Sequence, residues 1–227
     1  MTAYHVPLAN RLARTMFRPV FRLIFYALSD IKMMGRENIP TRGAYLITLN
    51  HTSLYDPPLL ISFWPVVPEG VGAIDVWHKP GQDIVVRAYG AIPIHRGEYD
   101  RQALETIIAV LNSGRPMVLA PEGARSHGAG MRRAHPGVAY IVEKTGVPVV
   151  PVGVVGTTDD FFDRAIRLQR PRLEIRIGKP LVLPPVTGAG SARREALQSN
   201  ADAVMLAIAA LLPAEYRGVY QSSTEAE

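Results

Sequence analysis

The sequence has 227 residues and no cysteine. This absence excludes disulfide bonds, thiolate nucleophiles and cysteine-ligated metal sites. A His-Glu-x-x-His pattern is also missing, and His127 and His135 are too isolated in the sequence to indicate a metal site. No Gly-x-Ser-x-Gly sequence is present, which argues against a serine hydrolase. We therefore expect chemistry that needs no metal ion and no resident cofactor.

Long apolar runs are also absent. No uncharged apolar stretch approaches the roughly 18 residues that a membrane-spanning helix needs. The first residues do not show the succession of basic, apolar and small-residue segments that marks a cleaved secretion signal. These two absences predict a protein that stays in the cytosolic compartment.

Acidic residues are fewer than basic ones: 20 Asp and Glu against 25 Lys and Arg, which gives a formal net charge of +5 and a pI of about 9.6. Such a balance favours anionic partners, whether phosphate ligands, nucleic acid or anionic lipid surfaces. A basic nucleic-acid-binding domain is one alternative, and a non-catalytic lipid-binding domain is another. Because no helix-turn-helix, zinc-finger spacing or aromatic stacking motif is found, we expect no nucleic-acid partner.

Apolar segments of strand length alternate along the chain with segments of helical periodicity. The predicted strands are 44–49, 71–77, 91–97, 116–120, 147–153 and 173–177. Pro148 and Pro151 indicate that the fifth strand is irregular or lies near a sheet edge. The pattern predicts an α/β layered fold with a central mixed, largely parallel sheet flanked by helices.

The chain divides into three predicted parts: N-terminal amphipathic helices in residues 1–35, the α/β domain in 36–220 and a flexible tail in 221–227. The N-terminal segment has a basic face formed by Arg11, Arg14, Arg18 and Arg22. Its opposite face is apolar and contains Leu12, Met16, Val20, Leu23, Ile24 and Leu28. Pro19 predicts two short helices rather than one. We expect them to lie on a membrane surface with the arginines near anionic headgroups; an ordinary amphipathic helix packed on its own domain is the alternative.

Three predicted strands end in charged loops, which contain the His51/Asp56 pair, Arg96 and the Glu122/Arg125 pair. In open α/β sheets, ligands bind outside the carboxyl ends of the strands, so these loops are expected to meet at one cleft. An imidazole can accept a proton from a hydroxyl while a carboxylate holds its other ring nitrogen. Guanidinium groups suit phosphate. Each feature alone is common in proteins without catalytic meaning, and their joint occurrence is what favours a site.

Four ordered blocks carry a resemblance to a known family: Asn50-His51-Thr52-Ser53-Leu54-Tyr55-Asp56, Ile94-His95-Arg96-Gly97, Pro121-Glu122-Gly123-Ala124-Arg125-Ser126 and Val147-Pro148-Val149-Val150-Pro151-Val152. Together they resemble the glycerolipid acyltransferases of the bacterial lysophosphatidate acyltransferase type over roughly residues 44–155. That family transfers a fatty acyl group from a coenzyme A or acyl-carrier-protein thioester to a glycerol-phosphate hydroxyl.

The resemblance implies a role for individual residues. His51 is implied as the general base and Asp56 as its partner. The implied substrate-binding residues are Lys79, Arg96, Glu122, Gly123, Arg125 and Ser126, with Gly123 as the turn that permits close approach. The third block departs from the common Phe-Pro-Glu-Gly-Thr-Arg pattern at Ala120 and Ala124, which leaves the acceptor open.

The implied substrates are acyl-CoA or acyl carrier protein as donor and a phosphate-bearing lipid as acceptor, with 1-acylglycerol-3-phosphate favoured and glycerol 3-phosphate or another lipid alcohol as alternatives. Because acyl chains are insoluble in water, we expect a peripheral or monotopic protein at the cytosolic face of the cell membrane.

Overall fold

Seven strands form one sheet in the computed structural model, which describes residues 4–97, 99–126, 128 and 130–221. The strands are β1 (Asp30–Met34), β2 (Leu46–Leu49), β3 (Glu69–Ala73), β4 (Ile92–Ile94), β5 (Met117–Leu119), β6 (Val149–Val155) and β7 (Arg172–Ile177). The α-helices are α1 (Leu8–Leu28), α2 (Asp56–Phe63), α3 (Gln82–Tyr89), α4 (Arg101–Asn112), α5 (Gly137–Thr145), α6 (Phe161–Ile166) and α7 (Gly190–Ala209).

The strand order is β1-β7-β6-β2-β5-β3-β4. The five strands from β6 to β4 run parallel, whereas β7 is antiparallel to β6 and β1 runs parallel to β7. The predicted mixed, largely parallel α/β fold is therefore confirmed. Because five parallel strands end at the same edge of the sheet, the loops that follow them share that edge.

The strand β2 lies at the centre of this arrangement and is buried along its whole length. Its alternate residues pack on opposite faces of the sheet, as the period of a strand requires. Leu46 joins the core beneath α4, α5 and α7, and Ile47 joins the core beneath α1, α2 and α6. A strand buried on both faces is a continuous apolar run, which is why the sequence indicates it clearly.

The strand β6 is not at an edge, so this part of the prediction is wrong. It lies between β7 and β2, and six of its seven residues are buried. Its regular pairing with β7 begins at Val152, one residue after Pro151. Because Pro151 precedes that ladder, its lack of an N–H group removes no hydrogen bond from it. The strand therefore tolerates the proline inside the sheet.

The helix α1 is continuous through Pro19, so the predicted division into two helices is also wrong. Hydrogen bonds from Arg14 and Arg22 fix the helix to the domain on both sides of the proline, which compensates for the backbone bond that proline removes. The sheet begins with β1 at Asp30, ahead of the boundary predicted at residue 36. Of the predicted tail, residues 222–227 lie outside the described residues.

The helix α1 packs on the domain through its arginine face. Three of its arginines donate hydrogen bonds to the domain: Arg14 to the Glu69 carboxylate, Arg18 to the Trp64 carbonyl and Arg22 to the Ser62 carbonyl. Arg14 is buried in this contact, so the expectation that it lies near headgroups is wrong, whereas Arg11 and Arg22 remain exposed. The helix also exposes an apolar stripe of Leu8, Leu12, Met16, Val20, Leu23 and Ile24. Within the described part of the chain, none of the helices is both long and apolar enough to span a bilayer.

Candidate active site

His51 and Asp56 meet at the carboxyl end of β2. Nδ1 of His51 lies 2.9 Å from Oδ2 of Asp56. The Asp56 side chain is completely buried, whereas the His51 side chain is 12% exposed. Because Nδ1 faces the carboxylate, Nε2 is the ring nitrogen that remains for a substrate hydroxyl. The geometry is that of a base whose orientation is fixed by a buried acid.

Asp56 is held by several donors besides His51. Its Oδ2 accepts the N–H groups of Thr52 and Ser53, each at 2.8 Å, and its Oδ1 accepts the hydroxyl of Thr157. Asp56 is also the first residue of α2, where the helix dipole favours negative charge. These contacts fix the position of the Asp56 carboxylate. The contact between this carboxylate and Nδ1 in turn fixes the orientation of the His51 imidazole.

Thr157 is a contact that the sequence analysis missed. It is buried, it follows β6 by two residues, and it lies 101 residues from Asp56 in the chain. Its place in the loop after a strand that neighbours β2 could have indicated a site residue. A single threonine in such a loop, however, matches no distinctive sequence pattern. Asn50 was missed as a structural residue in the same way: its side chain bonds to both backbone groups of Val154, at 2.9 and 2.7 Å.

Replacing Thr157 with valine is expected to lower kcat roughly tenfold with little change in KM, because a hydrogen bond to a charged group contributes about 1.5–3 kcal/mol. The control is Thr158→Val, since the exposed Thr158 hydroxyl donates to Asp160 instead. Steady-state kinetics of both variants test this. Equal losses for the two threonines would contradict a role in orienting Asp56.

Glu122 joins two loops at the same edge. Its Oε1 accepts the N–H of His51 at 2.9 Å, and its Oε2 accepts the N–H of Arg132 at 2.7 Å. The side chain is buried. Burial raises the pKa of the Glu122 carboxyl above its ordinary value, while the two backbone N–H groups oppose this rise. Both carboxylate oxygens of Glu122 thus accept backbone N–H groups, and its role in substrate binding stays a prediction.

Gly123 and Ser126 shape the loop that follows β5. Gly123 has a φ of +69°, and a Cβ there would lie 2.8 Å from Cδ2 of His135, so both the backbone and the space favour glycine. The N–H of Ser126 donates to the His51 carbonyl at 2.9 Å, and its hydroxyl donates to the Gly128 carbonyl at 2.7 Å. The hydroxyl predicted to bind substrate is therefore engaged within its own loop.

Arg96 follows β4 and Arg125 follows β5, and the two guanidinium groups interact electrostatically. Burial lowers the pKa of the Arg96 guanidinium, the positive charge of Arg125 lowers it further, and Asp75 partly opposes the change. Two guanidinium groups close enough to repel each other form a site that an anion would stabilise. The two sequence-predicted arginines therefore follow strands at the same edge of the sheet, with β3 between β4 and β5.

Lys79 lies on the same side of the sheet, after the 3₁₀ helix Ile74–His78 that follows β3. It is exposed, and its carbonyl accepts the N–H groups of Gln82 and Asp83 at the start of α3. The structure therefore shows Lys79 as part of a turn. Its role in substrate binding stays a prediction.

Comparisons with known proteins place the chain in a family. A family model described as Acyltransferase matches residues 30–155, which is more than half of the chain. The chain is 28% identical over 160 residues to a 1-acyl-sn-glycerol-3-phosphate acyltransferase of Borreliella burgdorferi, covering 69% of this chain and 64% of that protein. It is 25% identical over 219 residues to a lyso-ornithine lipid O-acyltransferase of Pseudomonas aeruginosa, covering 89% and 80% respectively.

The fold also matches a solved structure. The crystal structure of the 1-acyl-sn-glycerophosphate (LPA) acyltransferase, PlsC, from Thermotoga maritima superposes with a TM-score of 0.61 at 21% sequence identity. The match covers 86% of this chain and 79% of that one. Given the family match over residues 30–155 and this shared architecture, the chain belongs to the Acyltransferase family.

Proposed function

We propose that the protein transfers a fatty acyl group from a thioester to the hydroxyl of an anionic lipid, with 1-acylglycerol-3-phosphate as the favoured acceptor and phosphatidic acid as the product. The observation that carries the proposal is the His51–Asp56 pair on the same sheet edge as the Arg96–Arg125 pair. The first pair supplies a base for a hydroxyl. The second pair supplies an anion site for the phosphate of the same molecule.

The proposed reaction starts with the acceptor hydroxyl hydrogen-bonded to Nε2 of His51. The hydroxyl oxygen attacks the thioester carbon while Nε2 takes the proton, and Asp56 stabilises the imidazolium that forms. The tetrahedral intermediate then collapses, the carbon–sulfur bond breaks, and the thiolate accepts the proton from His51. The products are an ester and a free thiol. The donor is acyl-CoA or acyl carrier protein, because either one carries such a thioester.

A carboxylate-bearing lipid is a second candidate acceptor, and the name of one relative favours it. The relative that matches over 89% of this chain is named for a lyso-ornithine lipid, and a guanidinium fork binds carboxylate as well as phosphate. Ala120 and Ala124 also replace larger side chains in the third block of the family pattern. These features keep a carboxylate-bearing lipid alcohol as the alternative acceptor.

A labelled-donor assay distinguishes the acceptors. The protein is incubated with radiolabelled acyl-CoA and, in separate reactions, with lysophosphatidate, glycerol 3-phosphate or a lyso-ornithine lipid. The proposal predicts labelled phosphatidic acid as the dominant product. Labelled ornithine lipid alone would favour the second acceptor, and no labelled lipid from any acceptor, with acyl carrier protein also tested as donor, would contradict acyl transfer.

Replacing Arg125 with alanine is expected to raise the KM for the acceptor at least tenfold and to change kcat less, because a hydrogen bond to a charged group contributes about 1.5–3 kcal/mol. The matched control is Arg133→Ala, since Arg133 pairs with Asp202 at 3.6 Å and is 71% exposed. Steady-state kinetics with varied acceptor concentration test this prediction. An unchanged KM would remove Arg125 from the anion site.

We further propose that the protein works as a peripheral protein at the cytosolic face of the cell membrane, with the apolar stripe of α1 in contact with lipid. The stripe faces outward, and the arginines on the opposite face fix the helix to the domain. An apolar helical face of this kind suits the boundary between headgroups and acyl chains.

The triple variant Leu12→Ser/Met16→Ser/Leu23→Ser is expected to reduce binding to anionic vesicles at least tenfold. Each leucine or methionine side chain that the bilayer buries contributes about 1.5–3 kcal/mol to the free energy of binding. Point variants are preferable to deletion of residues 1–29, because deletion also removes Arg14 from buried Glu69. Vesicle sedimentation measures the change, with the melting temperature as a check on folding. Unchanged sedimentation of the variant with vesicles would contradict membrane contact through the apolar stripe of α1.

A further inference from the structure

A second exposed apolar surface lies beside the segment from His51 to Asp56, which we call the catalytic loop. We define the α6 surface as Phe162, Ile166 and Leu168, which are 49%, 55% and 74% exposed. Phe162 and Ile166 are four residues apart in α6 and therefore share one side of the helix. Phe161 and Ala165 of the same helix are buried and fix it to the domain. The exposed residues are therefore presented on a fixed support.

The loop after α6 holds Leu168 outward by an uncommon backbone conformation. Leu168 and Arg170 have φ values of +57° and +48°, which residues other than glycine seldom adopt. The Arg170 guanidinium donates to three carbonyls at the end of α1, those of Tyr26, Ala27 and Ser29, each at 3.2 Å. The strained loop is thus tied to the helix that carries the apolar stripe.

Three aromatic contacts connect α6 with its neighbours. Phe161 packs against Phe25 of α1, with ring centroids 6.2 Å apart. Tyr55, the residue before Asp56, stacks on Phe162 at 6.4 Å with an interplanar angle of 8° and meets Phe161 edge-on at 5.1 Å. The α6 surface therefore contacts Tyr55 directly through Phe162, and buried Phe161 of the same helix contacts Phe25 near the end of α1.

Arginines slightly outnumber acidic residues around the α6 surface. Residues 159–172 contain three acidic residues, Asp159, Asp160 and Asp163, and four arginines at positions 164, 167, 170 and 172. Arg164 pairs with Asp160 at 3.8 Å and Arg172 pairs with Glu174 at 2.7 Å. Arginines that flank exposed Phe, Ile and Leu side chains are typical of segments that lie in the interface of an anionic membrane. We propose that the α6 surface is a second membrane contact. It inserts into the headgroup boundary of an anionic bilayer and brings Tyr55 and the His51–Asp56 pair to the depth of the acceptor hydroxyl.

This proposal rests on the proposed function, since a lipid acceptor gives the catalytic loop a reason to meet the bilayer. It goes further because it fixes how the protein lies on the membrane. Contact through α1 alone leaves the protein free to tilt about the helix axis. Contact through both α1 and α6 holds the carboxyl edge of the sheet against the lipid.

The test uses Ile166→Gln/Leu168→Asn, which leaves Phe162 and its stack on Tyr55 in place. Asparagine is chosen because it tolerates positive φ better than most residues. The control is Val182→Gln/Val219→Asn, at sites 81% and 63% exposed. Sedimentation with vesicles of phosphatidylglycerol and phosphatidylcholine is expected to show at least tenfold weaker binding for the α6 variant and wild-type binding for the control.

Activity separates this proposal from the proposed function. Transfer to a short-chain lysophosphatidate dissolved without vesicles is expected to remain near wild type in the α6 variant, while transfer to long-chain acceptor in vesicles falls. Wild-type vesicle binding by the variant would overturn the membrane contact. So would a loss of self-association in sedimentation velocity with vesicle binding intact, because the surface would then join two copies of the chain. Inactivity of the wild type on the dissolved acceptor would instead contradict the proposed function.

Discussion

Replacing His51 with alanine is expected to lower acyl transfer by about 10²–10⁴, while the melting temperature stays within a few degrees of wild type. The loss follows from the geometry, because Nδ1 is bonded to buried Asp56 and only Nε2 remains to take the hydroxyl proton. Stability changes little because the His51 ring is partly exposed, and the backbone N–H that binds Glu122 is kept. Initial rates with labelled acyl-CoA and a calorimetric scan measure the two effects.

The chain contains its own control for this experiment. His95 and Asp100 repeat the same spacing, and Nδ1 of His95 lies 3.0 Å from Oδ2 of Asp100. The His95 side chain is 58% exposed, however, and Asp100 caps α4 by accepting the N–H of Ala103. The variant His95→Ala is expected to retain most activity. Equal activity of the His51 and His95 variants would show that His51 is not the base.

Replacing Glu69 with glutamine is expected to lower the free energy of unfolding by about 3–5 kcal/mol, the usual cost of removing one partner from a buried ion pair. Glu69 is completely buried and lies between two guanidinium groups. Its carboxylate accepts from Arg14 at 2.8 and 2.7 Å, from Arg115 at 2.9 and 2.6 Å and from the Tyr4 hydroxyl at 2.9 Å. The variant leaves Arg14 buried without a counter-charge.

For a chain of this length, that loss corresponds to a fall in melting temperature of about 10 °C. The control is Glu143→Gln, whose pair with Arg193 is also short, at 2.6 Å, but more exposed; we expect at most about 1 kcal/mol there. Calorimetry of both variants tests the difference. Similar shifts for the two variants would mean that the buried cluster does not secure α1.

The same cluster predicts a pH dependence. Burial alone would raise the pKa of the Glu69 carboxyl, but Arg14, with the donors of Tyr4 and Arg115, lowers it below its ordinary value of 4.5. A lowered pKa contributes stability that is present above pH 4.5 and is lost as pH falls through the folded-state value. The stability difference between wild type and Glu69→Gln is therefore expected to narrow on acidification below pH 4.5. A constant difference would contradict the ionised form of Glu69.

The sequence predicts the layered fold and the loops of the site because both depend on local patterns. A buried parallel strand is an apolar run, and the loop after it lies at a known edge of the sheet. Spacing alone is less informative, since His-x4-Asp occurs three times in this chain, beginning at His51, His78 and His95. Asp56 is completely buried and lies 2.9 Å from the His51 ring, whereas the His95 side chain is 58% exposed. Such burial follows only from the strand order.

The remaining features depend on contacts between distant residues. The periodicity of α1 separates its arginine face from its apolar face, but it does not tell which one is inside. Buried Glu69 decides this, 55 residues from Arg14 in the chain. Thr157 reaches Asp56 across 101 residues in the same way. Such pairs are set by the order of strands in the sheet, which no local pattern encodes.

A crystal structure of the protein with bound lysophosphatidate and no acyl donor tests the central claim most directly. We predict the phosphate between the guanidinium groups of Arg96 and Arg125, with the free hydroxyl about 2.6–3.2 Å from Nε2 of His51. A phosphate bound elsewhere, or a hydroxyl turned away from the imidazole, would contradict the account.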